Sequence, residues 1–246
     1  MEETSYGLKK EGRSQFIIIA PHAAGDDLKT GLVAEKLAEE LDGFLVINQV
    51  YKKPSNSSST DDPDKREDFN DLCWGHSYDK YLWKPKQPDM KLFFKDIKEF
   101  SNQARKYSPE EKAVAIYIHG MDSADTAIDI GAGAKRTFGN GSILGTKVLN
   151  AKKNKGKITL KISQIKKMKQ LLSPLFKEKY NMGVTIGKRH TGWSKQSAIQ
   201  FHKHEGRDDY AVQFEISHRF RLNKEKRDYL IICLTSTLKE IFKQTK

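Results

Sequence analysis

Two short apolar runs near the start of the chain constrain its fold most. Residues 16–20 read FIIIA and residues 44–48 read FLVIN, and neither run alternates with polar residues. A strand that is apolar on both faces belongs in a sheet that is covered by helices on both sides. The segment between them, residues 28–41, places Val33 and Leu37 at helical spacing. This strand–helix–strand order predicts a parallel pair with a right-handed crossover.

The remaining chain continues the alternation of strands and helices. We expect further strands at 113–120, 127–133, 183–187 and 210–217, and helices at 90–107, 160–179 (interrupted near Pro174) and 223–244. Neither an internal repeat nor a clear linker is visible in the sequence. The pattern therefore predicts one domain over residues 1–246, a three-layer α/β/α fold around a mixed, mostly parallel sheet.

Composition restricts the class of protein. The 246 residues contain no apolar stretch of about 18 residues, which predicts no membrane span, and the polar start does not resemble a signal peptide. Only two cysteines are present, Cys73 and Cys233, so we expect no disulfide framework and a cytoplasmic location.

The net charge of +12 has two interpretations: a lysine-rich solvated surface, or an anionic partner. No nucleic-acid-binding motif accompanies the lysines, so nucleic acid is the less favoured partner.

Polar residues stand where three predicted strands end. His22 and the pair Asp26 and Asp27 follow the first strand, His119 lies at the end of the third, and Glu215 lies in the last. The carboxyl ends of parallel strands meet at one edge of an α/β sheet. Two histidines and a carboxylate are the protein ligands of many catalytic zinc sites, and a second carboxylate can take a proton from bound water.

Each of these residues also has a structural interpretation. A single histidine after a strand is more often a structural residue than a ligand. Glu215 shares a strand face with Gln213, and that face could simply be in contact with water. The residues alone leave both interpretations open.

Three segments, together with a shorter one described below, resemble the N-formylglutamate amidohydrolase and poly-γ-glutamate hydrolase families. Their first motif resembles APHAAGDDLKTGLVAEKLAEEL at 20–41, the segment with their third ligand resembles AIYIHG at 115–120, and their Q-x-E strand resembles YAVQFEISHRFR at 210–221. The resemblance implies a zinc-carboxypeptidase-like fold and a Zn²⁺ ion held by the residues at positions His22, Asp27 and His119. It also implies that Glu215 acts as the general base.

The chain departs from these families at two points. Asp27 stands where the poly-γ-glutamate group usually has glutamate, and the neighbouring Asp26 is the alternative ligand. The families' Asp-x-Asn-Arg segment resembles residues 67–71, EDFND, which keep Asp68 and Asn70 but have Asp71 in place of the arginine. We expect Asp68, Asn70 and Arg221 to bind substrate; Lys65, Arg66 and Arg219 are further candidate cations for a substrate carboxylate.

The expected function is that of a zinc-dependent amidohydrolase acting on a small anionic substrate, either an acidic acyl-amino acid or a γ-glutamyl peptide. Two alternatives remain on the same fold: a basic nucleic-acid-binding protein and a catalytically silent protein that binds an acidic ligand. Two other segments attract attention. His202 and His204 are expected on one strand face, as pocket residues or a second metal site, and His190 with Trp193 suggests a substrate loop.

Overall fold

An eight-stranded sheet forms the centre of the computed structural model. The structure describes residues 1–25, 27–54, 61–71, 88–133, 158–188, 190–192, 197–203 and 207–243. Its strands are β1 (Glu2–Thr4), β2 (Gly7–Lys10), β3 (Phe16–Ala20), β4 (Phe44–Asn48), β5 (Val114–Met121), β6 (Thr126–Gly131), β7 (Gly183–Ile186) and β8 (Tyr210–Ser217). Its α-helices are α1 (Thr30–Leu41), α2 (Pro88–Ala104), α3 (Ile162–Tyr180), α4 (His218–Leu222) and α5 (Lys224–Ile241).

The strands are ordered β1-β2-β4-β3-β5-β8-β6-β7. The central strands β4, β3, β5 and β8 run parallel to one another, and β7 runs parallel to β6. The antiparallel pairs are β1 with β2, β2 with β4, and β6 with β8. The prediction of a mixed, mostly parallel sheet is confirmed.

Apolar cores lie on both faces of the sheet. Along β5, Ile116 and Ile118 point into a core that α1, α3 and α5 cover. Ala115 and Tyr117 point to the opposite face, into a core that α2 covers. Because successive side chains of a strand alternate between faces, both faces of the central strands must be apolar. The three-layer prediction is thereby confirmed.

The secondary structure differs from the expectation near Pro174 and at the start of the chain. Helix α3 is not interrupted near Pro174 but runs through it, because four buried side chains at helical spacing hold the segment to the sheet: Ile165, Met168, Leu172 and Phe176. The polar start of the chain, for which no element was expected, forms the hairpin β1–β2 at the edge of the sheet. None of the helices in the described ranges has the length and apolar character needed to cross a membrane.

Candidate metal centre and active site

The topology brings the predicted site residues to one edge of the sheet. His119 of β5 pairs directly with Glu215 of β8, which pairs in turn with Asp129 of β6. These three side chains form a row on the face that α2 covers, because directly paired residues point to the same side. His22 follows the end of β3, the strand that neighbours β5 on the other side. The expected convergence of strand ends is therefore present.

Three ligand atoms meet at this edge. Nδ1 of His22 lies 3.3 Å from Oδ2 of Asp27 and 3.3 Å from Nδ1 of His119, and the last two atoms are 3.6 Å apart. All three residues are buried, with at most 8% of their surface exposed. The turn that carries Asp27 is fixed by hydrogen bonds from the Asp27 N–H to the His22 carbonyl and from Thr30 to the Asp27 carbonyl.

A hydrogen bond of His22 fixes which of its ring nitrogens is available to a metal ion. Its Nε2 lies 2.8 Å from Oδ1 of Asp68, and a carboxylate only accepts hydrogen bonds, so Nε2 carries the proton. In the neutral ring Nδ1 then has a free lone pair, and it is this nitrogen that faces Asp27 and His119. A histidine whose second nitrogen donates to a carboxylate is the usual arrangement of a metal ligand.

The pKa values of the cluster fit replacement of a proton by a cation. Burial lowers the pKa of His119 to about 4, so its ring is neutral at pH 7, as a ligand must be. Burial alone would raise the pKa of Asp27 and lower that of His22, but the hydrogen bonds of these two residues together have the larger effect on both pKa values. Bonds from His119 and His22 hold the pKa of Asp27 well below its usual value, and bonds to Asp27 and Asp68 raise that of His22.

The donor set fits zinc. Among the described residues, His22, Asp27 and His119 are the only group of three or more potential ligands whose atoms converge, all within 4.8 Å. Imidazole nitrogens with one carboxylate suit Zn²⁺, and three protein ligands leave a fourth position open. Of the two candidate aspartates, Asp27 supplies the converging atom, whereas Asp26 lies outside the described residues.

Glu215 lies beside the ligand cluster without belonging to it. Only 5% of its surface is exposed, and its Oε1 accepts a hydrogen bond from Nε2 of Gln213 at 3.2 Å. Burial, followed by the negative charge of Asp27, raises the pKa of Glu215 well above the ordinary value. A buried carboxylate next to candidate metal ligands is suitably placed to act as a general base.

The segment at 68–71 lies against His22. Asp68 accepts hydrogen bonds from Nε2 of His22 and from the Asn70 N–H. It is therefore hydrogen-bonded to one of the three candidate ligands, His22. Oδ1 of Asn70 is buried and has no hydrogen-bond partner among the described residues. Burial, followed by the charges of Asp68 and Glu67, raises the pKa of Asp71 to about 6. Substrate contact by Asp68 and Asn70 stays a prediction.

Arg221 makes backbone contacts that the sequence did not suggest. Its Nε donates to the Ile216 carbonyl at 3.0 Å, and its Nη1 donates to the carbonyl of Leu28, the residue after Asp27. A Cβ atom at Gly120 would lie 2.5 Å from the guanidinium carbon, so a side chain there would displace the guanidinium from this position. The side chain thus ties the ligand-bearing turn to β8. Its expected contact with substrate stays a prediction.

The histidines of the 201–206 segment lie outside this cluster. The expected strand is wrong: residues 198–203 form a 3₁₀ helix, and Nε2 of His202 lies 2.9 Å from the Tyr117 hydroxyl. His202 is fully buried in the core on the α2 side, where its ring packs against those of Tyr117 and Phe201. His204 and Trp193 lie outside the described residues.

Two residues near the site were missed from the sequence. Asp129 is a fully buried carboxylate in the otherwise apolar segment TAIDIG, and that contrast is a signal that could have identified it. Lys53 follows β4, in a segment whose neighbour Lys52 is hydrogen-bonded to Lys65 and Glu67, immediately before Asp68. Nothing in the local pattern distinguishes Lys53 from the many other lysines.

The sequence matches no protein-family model and no curated protein, but several solved structures match it. The match to a gene product of Agrobacterium tumefaciens covers 94% of this chain and 90% of the other, at 11% identity and a TM-score of 0.52. N-formylglutamate amidohydrolase from Ralstonia eutropha JMP134 covers 95% of each chain, at 11% identity and a TM-score of 0.51. The match to a bacteriophage poly-γ-glutamate hydrolase covers 95% of this chain and 87% of the other, at 14% identity and a TM-score of 0.48.

The first two matches extend over nearly the full length of both chains. They agree, at the level of fold, with the resemblance that the sequence motifs carry. This protein therefore has the fold of N-formylglutamate amidohydrolase.

Proposed function

We propose that this protein is a zinc-dependent amidohydrolase that cleaves an amide bond of a small anionic acyl-amino acid or a γ-glutamyl peptide. The observation that carries the proposal is the convergence of Nδ1 of His22, Oδ2 of Asp27 and Nδ1 of His119 beside the buried Glu215. The fold supports it, because a protein of the same fold is an N-formylglutamate amidohydrolase.

In this proposal His22, Asp27 and His119 hold the ion. A bound zinc ion lowers the pKa of its water to about 7 and polarises the substrate carbonyl. Glu215 takes the proton of the attacking water and returns it to the leaving amine. Asp68 keeps the proton of His22 on Nε2, which leaves Nδ1 available to the metal.

The charge of Lys53 supports an anionic substrate. After burial, hydrogen bonds and nearer charges such as that of Asp27, the positive charge of Lys53 makes a smaller contribution that favours a lower pKa at His22, Asp68, His119 and Glu215, although the net pKa shifts of His22 and Glu215 are upward. Asp71 occupies the position of the arginine in the resembling families, so a cation for the substrate carboxylate must come from elsewhere. Lys53 fills that role in the proposal. The amide oxygen of Asn70, which has no hydrogen-bond partner in the described part of the chain, would accept a substrate N–H.

Turnover of defined amides tests the function directly. Zinc-loaded protein would be given N-formyl-, N-acetyl- and N-succinylglutamate and γ-glutamyl peptides, and release of the free amine would be measured. We expect hydrolysis of at least one member, lost on chelation and restored by added zinc. Stoichiometric zinc without hydrolysis of any member would instead favour the catalytically silent alternative.

Asp68→Asn tests the link between Asp68 and the metal. The variant keeps the shape of the side chain but removes its charge, so we expect zinc affinity to fall about 10–100-fold, the usual effect of losing such a supporting carboxylate. Competition with a chromogenic chelator measures the affinity. Asp64→Asn, an exposed carboxylate of the same loop, is the matched control and should leave it unchanged. If Asp68 binds only substrate, Asp68→Asn will raise KM at unchanged zinc affinity.

Lys53→Gln tests the proposed carboxylate contact. Loss of one charge-assisted hydrogen bond should raise KM for an acidic substrate about 10–100-fold and leave KM for its neutral amide analogue unchanged. Steady-state kinetics on the matched pair of substrates measures the difference. Lys36→Gln, at an exposed lysine of α1 that pairs with Glu39, serves as the control. Equal effects on both substrates would show that Lys53 does not read the carboxylate.

A further inference from the structure

A buried carboxylate with no part in the proposed mechanism lies next to Glu215. Asp129 is fully buried on β6, and burial of a charge is costly unless the charge is hydrogen-bonded. Its Oδ1 accepts hydrogen bonds from the Thr185 hydroxyl at 2.7 Å and from the Lys188 N–H at 3.0 Å. Its Oδ2 accepts the His190 N–H at 3.4 Å. Asp129 therefore anchors the segment formed by residues 187, 188 and 190–192, which we call the β7 turn because it follows β7.

Three further contacts fix the β7 turn. Nε2 of Gln213 donates to the His190 carbonyl at 3.1 Å, and the same nitrogen donates to Glu215. The Gly133 N–H donates to the Thr191 carbonyl at 2.8 Å. Nε2 of Gln200 donates to the Gly192 carbonyl at 2.7 Å. The backbone of the turn is thus held by side chains of the sheet and of the 3₁₀ helix, and by the backbone N–H of Gly133.

Steric contacts leave the turn little room to move. A Cβ at Gly131 would lie 2.5 Å from the His190 carbonyl oxygen, so β6 and the turn are in close contact. Gly192 has φ +65°, and a Cβ there would lie 2.0 Å from Ile199. Glycine is needed at both places, at Gly131 for the space and at Gly192 for the space and the left-handed backbone.

The β7 turn lies on one side of the candidate active site. In the sheet β8 lies between β5 and β6, so Glu215 stands between His119 and Asp129. The metal ligands lie on the β5 side of the base, and the β7 turn lies on the β6 side. A substrate whose scissile carbonyl is at the ligand cluster would meet the turn if its other end extended past Glu215 toward β6. His190 is exposed there, while its backbone is fixed.

We propose that the β7 turn is a preorganised recognition element for the polar end of the substrate, with His190 as its contacting side chain. Asp129 is the positioning residue that holds this element in place. The inference rests on the proposed amidohydrolase function and adds to it a specificity site on the β6 side of the base. A recognition group is effective when its backbone is fixed before binding, and two buried side chains, Asp129 and Gln213, serve that purpose here.

Two variants separate recognition from chemistry. His190→Ala removes the contact, and Asp129→Asn keeps the volume of the anchor but places an amide where a carboxylate accepted N–H groups. We expect each variant to raise KM about 10-fold or more for the acidic substrate, with kcat within about 3-fold of wild type and zinc content unchanged. Asp125→Asn removes an exposed carboxylate that contacts the turn through Lys188, and should leave both constants unchanged.

The double variant tests whether Asp129 acts through the turn. If it positions His190, the KM of Asp129→Asn/His190→Ala will equal that of the weaker-binding single variant, because both remove the same contact. If the effects of the two substitutions on KM multiply, or if either single variant has an unchanged KM, the inference is wrong. Turnover by the wild type would still support the proposed function in that case.

A measurement of binding separates the two failures. Calorimetric titration of the zinc-loaded proteins with N-acetylglutamate gives Kd without turnover. Weaker binding by both single variants supports the inference even if the wild type hydrolyses nothing, and equal Kd values for all three proteins contradict it. Thermal melts of the same samples show whether Asp129→Asn is folded; if it is not, His190→Ala alone decides by its Kd.

Discussion

Glu215→Gln should lower kcat by roughly 10²–10⁴, the usual contribution of a positioned general base. The amide keeps the size of the side chain and can still bond to Gln213, but it cannot accept the proton of the attacking water. Because the ligand cluster is complete without Glu215, the variant should keep its zinc and its fold. Stopped-flow or steady-state kinetics on the best amide, with zinc quantified in the same sample, measures both quantities.

Glu110→Gln removes a carboxylate that bonds to Tyr210, at the opposite end of β8, and should leave kcat unchanged. Loss of zinc together with activity would make Glu215 a ligand. Turnover at the wild-type rate would refute the mechanism, since no other residue of the proposal takes the proton.

The raised pKa of Glu215 also affects the stability of the metal-free protein. Burial raises this pKa above its value in the unfolded chain, so the neutral carboxyl stabilises the fold at low pH, and that contribution is lost as pH rises through the folded-state value. Glutamine is neutral at every pH. The Tm of metal-free Glu215→Gln should therefore rise relative to wild type as pH increases, and thermal melts across pH 5–9 would follow it.

The sequence predicted those parts of the site that depend on local pattern. His22 and Asp27 stand five residues apart in one turn after an apolar strand, and the ends of β3, β5 and β8 converge because parallel strands must end at the same edge. The fold class followed from apolar runs that alternate with amphipathic helices.

The sequence did not predict contacts made between distant segments by packing. Asp68 lies 46 residues from His22, and the hydrogen bond between them depends on the path of the loop after β4. Arg221 similarly reaches Leu28 across 193 residues, over a glycine whose lack of a side chain has no local signal. Asp129, by contrast, has a local signal, because it is a lone carboxylate in an otherwise apolar strand.

Loss of the metal from His22→Ala and His119→Ala is the second large effect expected. Each substitution removes one of only three protein ligands, and it leaves Asp27 buried beside a cavity with a single imidazole partner. Wild type should carry about one zinc per chain, and both variants should lose it together with all measurable amide hydrolysis. Elemental analysis after dialysis against a weak chelator measures the zinc content.

Two matched controls make the metal assignment specific. His218→Ala removes a half-exposed histidine that pairs with Asp122, outside the ligand cluster, and should keep its zinc. Asp27→Asn should lose zinc, because a neutral amide oxygen is a weaker ligand than a carboxylate, whereas Asp26→Asn should retain it. If Asp26→Asn loses zinc and Asp27→Asn retains it, the ligand is Asp26, and the rest of the proposed site is unchanged. Full zinc retention in both His22→Ala and His119→Ala would refute the metal centre, and with it the proposed chemistry, since Glu215 would then have no activated water beside it.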